Sequence, residues 1–223
     1  MTVAEWLDMW VAEYLKNVKP LTLQNYKKQV EKHLKPALGA AKLEALDAHT
    51  IQKFYNSLSE DGLAPKTVKN IHGVLHSALE QAISNDYIHR NPTEACMLPK
   101  VVKPEIHPLE PTEISKLLQE AEKDDYENLF IVAMFTGMRQ GELLGLAWDS
   151  VDFKNGIITV KQQLQCTDGN YFLETPKNGK GRTILPAPMV MEALVRELQK
   201  QNAEKSKRAV HGAIHTIWYL RMH

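Results

Sequence analysis

Between Met97 and Pro108 the chain carries three prolines, Pro99, Pro104 and Pro108, and no helical period; no other stretch constrains the fold as strongly. Proline fixes φ and lacks an N–H donor, so such a run reads as an extended connection and not as part of a packed element. It cuts the 223 residues into two pieces, each of a size to enclose its own core. The expected organisation is a first domain over 1–96, a linker over 97–108 and a second domain over 109–223, with an atypical tail from about 210.

Upstream of the break the pattern is helical throughout. Val3, Trp6, Leu7, Trp10 and Tyr14 recur at helical spacing and predict a helix over Val3–Lys16. A second helix begins after Pro20, with Thr22 as a cap and Leu23, Tyr26, Val30 and Leu34 as its stripe; Pro36 and Gly39 are expected to end it. Thr50–Leu58 forms a third, with Ile51, Phe54, Tyr55 and Leu58 inward, and Gly62 closes it. Ala64-Pro65 then opens a long fourth helix, from Lys66 to about Asn85, whose apolar face is Val68, Ile71, Leu75, Leu79 and Ile83. Its other side presents Lys66, Lys69, Asn70, His72 and His76, and the block ends at Asn91-Pro92.

Downstream the pattern is mixed. Pro111 fits the first position of a helix that carries Ile114, Leu118 and Ala121 on one face. The apolar run Leu129–Phe135 predicts a buried helix, and Val151–Lys161 reads as a strand. Tyr171–Thr175 and Arg182–Leu185 read as two further strands joined by a glycine-rich hairpin, Pro176-Lys177-Asn178-Gly179-Lys180-Gly181. A last helix passes through Met191, Leu194 and Leu198 into the charged stretch Glu204-Lys205-Ser206-Lys207-Arg208. The expected fold class is therefore an α-helical N-terminal domain followed by a mixed α+β domain with a small antiparallel sheet.

Bulk properties exclude little. Hydrophobic residues make up 43% and charged residues 24%, as in ordinary globular proteins, and no run reaches the length of a membrane span. Met1-Thr2-Val3-Ala4-Glu5 begins no signal peptide, and Cys96 and Cys166 stand apart without metal-ligand spacing. A cytoplasmic protein with free thiols, no metal, no cofactor and no membrane partner is the expectation. The formal net charge is zero, whereas a nucleic-acid module usually has a basic excess. The neutrality is uneven, however: Glu110–Asp149 is acidic and Lys154–Arg208 basic, so the total can hide a basic face.

The stretch with chemical promise is Phe135-Thr136-Gly137-Met138-Arg139-Gln140-Gly141-Glu142-Leu143. A Thr-Gly turn breaks the hydrophobic run, and one arginine stands alone before a new helical period. A guanidinium at the start of a helix, beside a glycine that lets other groups approach, is suited to an anion, and its planar fork matches two phosphate oxygens. By itself such an arginine is equally well a surface residue or half of a structural ion pair.

The helical block, the proline linker, this Thr-Gly-x-Arg-x-x-Glu stretch and the later lysine turn follow the order of a known family. The chain resembles the tyrosine recombinases, in particular the integrases of phages and conjugative elements, from about Val3 to about Arg208. In the first block the resemblance lies in Thr22, Tyr26, His33-Leu34, Pro36, Leu38-Gly39, Pro65-Lys66-Thr67, Asn70 and Asn91-Pro92. In the second it lies in Thr136-Gly137-Met138-Arg139-Gln140-Gly141-Glu142-Leu143, Leu146-Ala147-Trp148 and Val151-Asp152, with Ser150 where an acidic residue is common.

The resemblance implies a SAM-like core-binding domain followed by part of a catalytic domain, clamping duplex DNA, and a site-specific recombinase that cleaves and rejoins strands through a 3′-phosphotyrosine. Arg139 would grip the scissile phosphate, supported by Glu142. A turn lysine, Lys177 or its rival Lys180, would protonate the leaving 5′ oxygen. Lys66, Thr67, Lys69, Asn70, His72, Lys27, Lys28, Lys180 and Arg182 are the candidate DNA contacts, and other integrase subunits the implied protein partners. The family's His-x-x-Arg box and nucleophilic tyrosine find no match: His215-Thr216-Ile217-Trp218 has Trp where Arg belongs, and Tyr219 follows too closely. The sequence thus predicts a DNA-binding but catalytically incomplete fragment, or, alternatively, a non-catalytic remnant that competes with a full-length integrase.

Overall fold

The computed structural model describes residues 1–176, 179–205 and 217–218. It divides into two compact units, Met1–Glu105 and Ile106–His223. Residues 96–110 hold no regular element.

The first unit is helical. Helix α1 (Val3–Met9) starts at a capping box, in which Thr2 and Glu5 exchange side-chain and backbone hydrogen bonds, and continues as a π-helical turn over Trp10–Tyr14. Pro20 occupies the first turn of α2 (Pro20–Gln29). Contrary to the sequence reading, Pro36 does not end this helix. The backbone widens into a π turn over Val30–Leu34 and resumes as α3 (Lys35–Leu38), so Pro36 falls in a first turn, where a missing N–H costs little. Asp47 caps α4 (Ala48–Glu60) through the Thr50 N–H, and Pro65 opens the long α5 (Pro65–Ser84).

Trp6, Leu7, Leu34, Ile51, Tyr55, Val68, Ile71, Leu75 and Leu79 form the interior of this unit, and the indole of Trp6 donates to the Ala78 carbonyl at 3.0 Å. A short turn at Pro92–Ala95 is latched onto α5: Asn91, 4% exposed, donates to the His76 carbonyl and Glu80 and accepts from the Thr93 N–H and hydroxyl. The Asn-Pro signal thus has a physical basis, a buried amide that anchors the chain just before residues 96–110.

In the second unit α6 (Pro111–Lys123) and α7 (Glu127–Thr136) precede the short α8 (Gln140–Leu144). Within the apolar run of α7 only Ile131 and Val132 are fully buried, and Phe135 is exposed. The single strand expected over Val151–Lys161 is a hairpin, β1 (Val151–Asp152) and β2 (Ile157–Val160), turning through Gly156 in the left-handed region. Two strands follow, β3 (Gln163–Thr167) and β4 (Asn170–Glu174), paired across a tight turn at Asp168-Gly169. The sequence reading missed β3 and consequently misassigned the hairpin. The next strand, β5 (Arg182–Ile184), pairs with β2 in a sheet ordered β1-β2-β5, so β4 and β5 belong to different sheets.

Helix α9 (Pro188–Lys205) packs on α7, with Val190, Ala193 and Leu194 inside. Part of the expected tail is core: Ile217 and Trp218 are 0% and 1% exposed among Val132, Leu143, Leu146 and Ile158. The Ile217 N–H donates to the Leu146 carbonyl at 2.7 Å, and buried Gln201 joins the Trp148 indole, Glu197 and the Ile217 carbonyl. Ser150 is buried in the turn Trp148–Ser150 and donates to Asp149. None of the described helices is long and apolar enough to cross a membrane.

Two glycines set the seat of α8. A side-chain carbon on Gly141 would lie 2.9 Å from the Leu164 carbonyl oxygen, and one on Gly145 would lie 2.7 Å from the Leu164 nitrogen and 2.8 Å from Gln163 backbone atoms. Helix and strand therefore meet backbone to backbone, one turn apart. Gly73, in the middle of α5, has nothing within 4 Å of such a carbon. Gly145→Ala should lower the unfolding free energy of the second unit by about 1–3 kcal/mol, whereas Gly73→Ala should raise that of the first by about 0.5–1 kcal/mol. Urea titrations of both variants check the opposite signs.

Candidate functional site

The local chain explains how Arg139 is presented. Thr136 donates back to the Val132 carbonyl at 2.6 Å and accepts from the Met138 N–H, and Gly137 turns the chain in the left-handed region at φ 62°. Met138 is buried and pins the turn to the core, so the next residue emerges at the surface. Arg139 is the extended residue that precedes α8, and its side chain is 64% exposed.

One turn on, Glu142 points inward with a side chain 1% exposed. Its Oε1 accepts from Arg139 Nη1 at 3.0 Å and Arg182 Nη1 at 2.9 Å; its Oε2 accepts from the Arg139 backbone N–H at 2.9 Å and Arg182 Nη2 at 2.7 Å. Four donors satisfy the roughly four lone-pair sites of a carboxylate. The bidentate Arg182 is the main reason the Glu142 pKa falls to about 2; burial opposes the shift, and the Arg139 backbone and side chain add to it. Arg182 in turn is pushed above its ordinary range by hydrogen bonding to Glu142. Two cations and one anion leave one positive charge in excess, and Arg139 carries it toward solvent.

Arg182, one of the candidate DNA contacts, is bonded to Glu142 by both terminal nitrogens. It is the partner of Val160 in the β2–β5 ladder and shares a strand face with half-buried Ile184. An arginine on the inward face of a strand is a legible sign of a buried acid, though which acid depends on tertiary contacts. Lys180 is exposed two residues earlier. Lys177 lies outside the described residues.

The remaining candidates belong to the first unit. Lys66, Lys69 and Asn70 are exposed and Thr67 half-buried at the start of α5, and Lys27 and Lys28 are exposed in the last turn of α2. His72 departs from the expected surface role: it is half-buried, its Nδ1 lies 3.0 Å from the Tyr55 hydroxyl, and its ring stacks on His76. Burial, then His76 and Lys69, lower its pKa and keep it neutral.

Residues 2–59 match the model of the phage integrase N-terminal SAM-like domain, and residues 108–214 match that of the phage integrase family. The second match includes 210–214, a stretch the sequence reading had set apart as atypical. An integrase of Saccharopolyspora erythraea is 31% identical over 171 residues, which is 74% of this chain and 38% of that protein. A tyrosine recombinase XerC-like protein of Caldanaerobacter subterraneus subsp. tengcongensis is 26% identical over 229 residues, 94% of this chain and 58% of that protein. The chain therefore spans less than two thirds of either relative's length. Among solved structures, the integrase of transposon Tn1549 in complex with transposon right end DNA superposes with a TM-score of 0.80 at 26% identity, over 89% of this chain and 65% of that one.

The carboxylate's low pKa sets a pH window. Glu142 titrates near 4.5 in the open chain and about 2 in the folded one, so its stabilisation is complete above 4.5 and is lost as pH falls toward 2. That difference corresponds to on the order of 3 kcal/mol. Glu142→Gln should therefore remove a share of the pH dependence of unfolding between those two values and leave the slope above pH 5 unchanged, as acid titrations followed by circular dichroism would register.

Proposed function

The chain belongs to the phage integrase family of tyrosine recombinases, and from that premise we propose that it binds duplex DNA and that Arg139 grips a backbone phosphate of a recombination site. The observation that carries this reading is the excess cation. Glu142 is saturated, so Arg139 gives it only one of its guanidinium N–H bonds and offers the rest of the fork to solvent. In family chemistry a tyrosine attacks the phosphate, the 5′ oxygen leaves with a proton, and charge gathers on the non-bridging oxygens. A cation fixed beforehand at that place stabilises the transition state by several kcal/mol in order of magnitude. Lys177 is our choice for the proton donor, with Lys180 as its rival. Lys66, Thr67, Lys69, Asn70, Lys27 and Lys28 would contact DNA from the first unit, chiefly its phosphates. The Tn1549 relative in its DNA complex supports the choice of partner.

We further propose that these residues hold a phosphate without cutting at it. Position 218, where the His-x-x-Arg spacing asks for arginine, is a tryptophan 1% exposed in the core and has no charge to offer. Binding without cleavage would let the chain compete with a complete integrase for the same site.

Duplex binding measured by fluorescence anisotropy should weaken steeply with salt, with a logarithmic slope of about 0.9 per phosphate neutralised. Arg139→Ala should weaken it about tenfold at temperatures where both chains are folded, the variant also giving up one of the four donors to buried Glu142. Binding insensitive to salt, or equal affinity for the variant, overturns the phosphate reading. On a nicked suicide substrate no denaturation-resistant protein–DNA adduct should accumulate; an adduct would show that a nucleophile and its second cation are present after all.

A further inference from the structure

Arg182 is the side chain of this site to which the phosphate reading gives no task. It is 40% exposed, yet its two terminal nitrogens both lie on Glu142, at 2.9 and 2.7 Å. Both are shorter than the side-chain bond of Arg139, whose Nη1 reaches the same carboxylate at 3.0 Å. Arg182 occupies the fork-to-fork geometry that a guanidinium and a carboxylate prefer, and Arg139 is left with a single side-chain bond.

We propose that Arg182 is a positioning residue for phosphate binding, which acts by occupying Glu142 and so keeps Arg139 turned outward and uncompensated. The inference rests on the reading of Arg139 as the phosphate grip. Its physics is a competition for one carboxylate. Glu142 is 1% exposed, so it must be paired with whatever cation is within reach. With Arg182 present, the requirement is met from the strand side. Without it, Arg139 is the remaining cation that bonds Glu142, and the same bidentate pairing becomes available to it. The guanidinium then turns in on the carboxylate, the site becomes neutral, and a phosphate meets neither the charge nor the free fork.

The seating of α8 makes this competition local. Gly141 and Gly145 hold the helix against the β3 backbone, and Leu143 and Leu146 hold it in the core. Glu142 cannot follow a departing partner, so the adjustment falls on the exposed Arg139 side chain. Arg182 is equally fixed, one residue beyond Gly181, where a side-chain carbon would lie 2.8 Å from the Val160 carbonyl oxygen.

The test is a cycle of variants in the full chain, with affinity for a short labelled DNA duplex at low salt as the readout. Arg182→Gln should weaken binding about tenfold, as much as Arg139→Ala does. Adding Glu142→Gln to Arg182→Gln should restore the affinity, because the neutral amide no longer captures Arg139. An arginine that touches DNA directly would give no such recovery, and one that only supports the fold would show its loss and recovery in thermal unfolding and not in the affinity of chains kept well below their unfolding temperature. Unchanged binding by Arg182→Gln, or failure of the double variant to recover, overturns the proposal.

Should Arg182→Gln fail to fold, the comparison moves to the Glu142→Gln background. There the loss of Arg182 should change affinity by less than about twofold, and a larger loss overturns the proposal. Arg139→Ala keeps the two readings apart. If that variant binds like the parent, the phosphate grip itself is wrong. If it binds weakly while Arg182→Gln does not, only the positioning role fails.

Discussion

The second unit is organised around one buried carboxylate. Placing Glu142 out of contact with water is costly unless every oxygen lone pair is met, and the chain meets them from two directions. One is local, from the backbone and side chain of the residue three positions earlier; the other comes from a strand forty residues further on. The carboxylate thereby ties the start of α8 to β5. It also converts two arginines of equal formal charge into unlike partners, one bound to the carboxylate by both terminal nitrogens and one by a single nitrogen with most of its side chain exposed. An ion pair of this kind is weak evidence for stability on its own, since apolar residues often serve as well. Its value here lies in geometry and in the sign of the charge that remains.

The first unit depends on a different device. Its helices meet over large aromatic and aliphatic side chains, and the segment that leaves it is held by the amide of Asn91. His72 and His76, which from the sequence present themselves as part of a polar helix face, turn out to belong to the contacts behind that face. The candidate basic residues that remain exposed are Lys66 and Lys69 on α5 and Lys27 and Lys28 on α2.

Helix boundaries were legible because their signals are local. Prolines 20, 65 and 111 in first turns each declare a helix start, whereas the Asp47 cap that starts α4 at Ala48 and not at Thr50 was not read, and Thr22 lies inside α2 and does not cap it. Pro36 misled for the same reason: its usual meaning as a stop was overridden by a π turn that only the packing of Val30 and Leu34 explains. Strand pairing was not legible. β4 and β5 are neighbours in sequence and were read as a hairpin, whereas their true partners, β3 and β2, are chosen by register and core contacts. Of the site, Arg139 and Glu142 could be found by spacing along one helix turn. The meaning of Arg182 required knowing which strand lies beside β2.

The insertion of Ile217 and Trp218 beside Leu146 has a consequence for how the chain acquires its structure. The hydrogen bond between residues 146 and 217 closes a loop of some seventy residues, and the Trp148–Gln201 bond closes another of more than fifty. The first unit likewise closes a loop of some seventy residues, through the indole of Trp6 and the Ala78 carbonyl. In each unit, therefore, residues far apart in the chain must meet before the interior is sealed, and contacts of such separation form late. During synthesis Arg139 is thus translated before Ile217 and Trp218 but acquires its final surroundings only after those residues, which shut the core behind it, have left the ribosome.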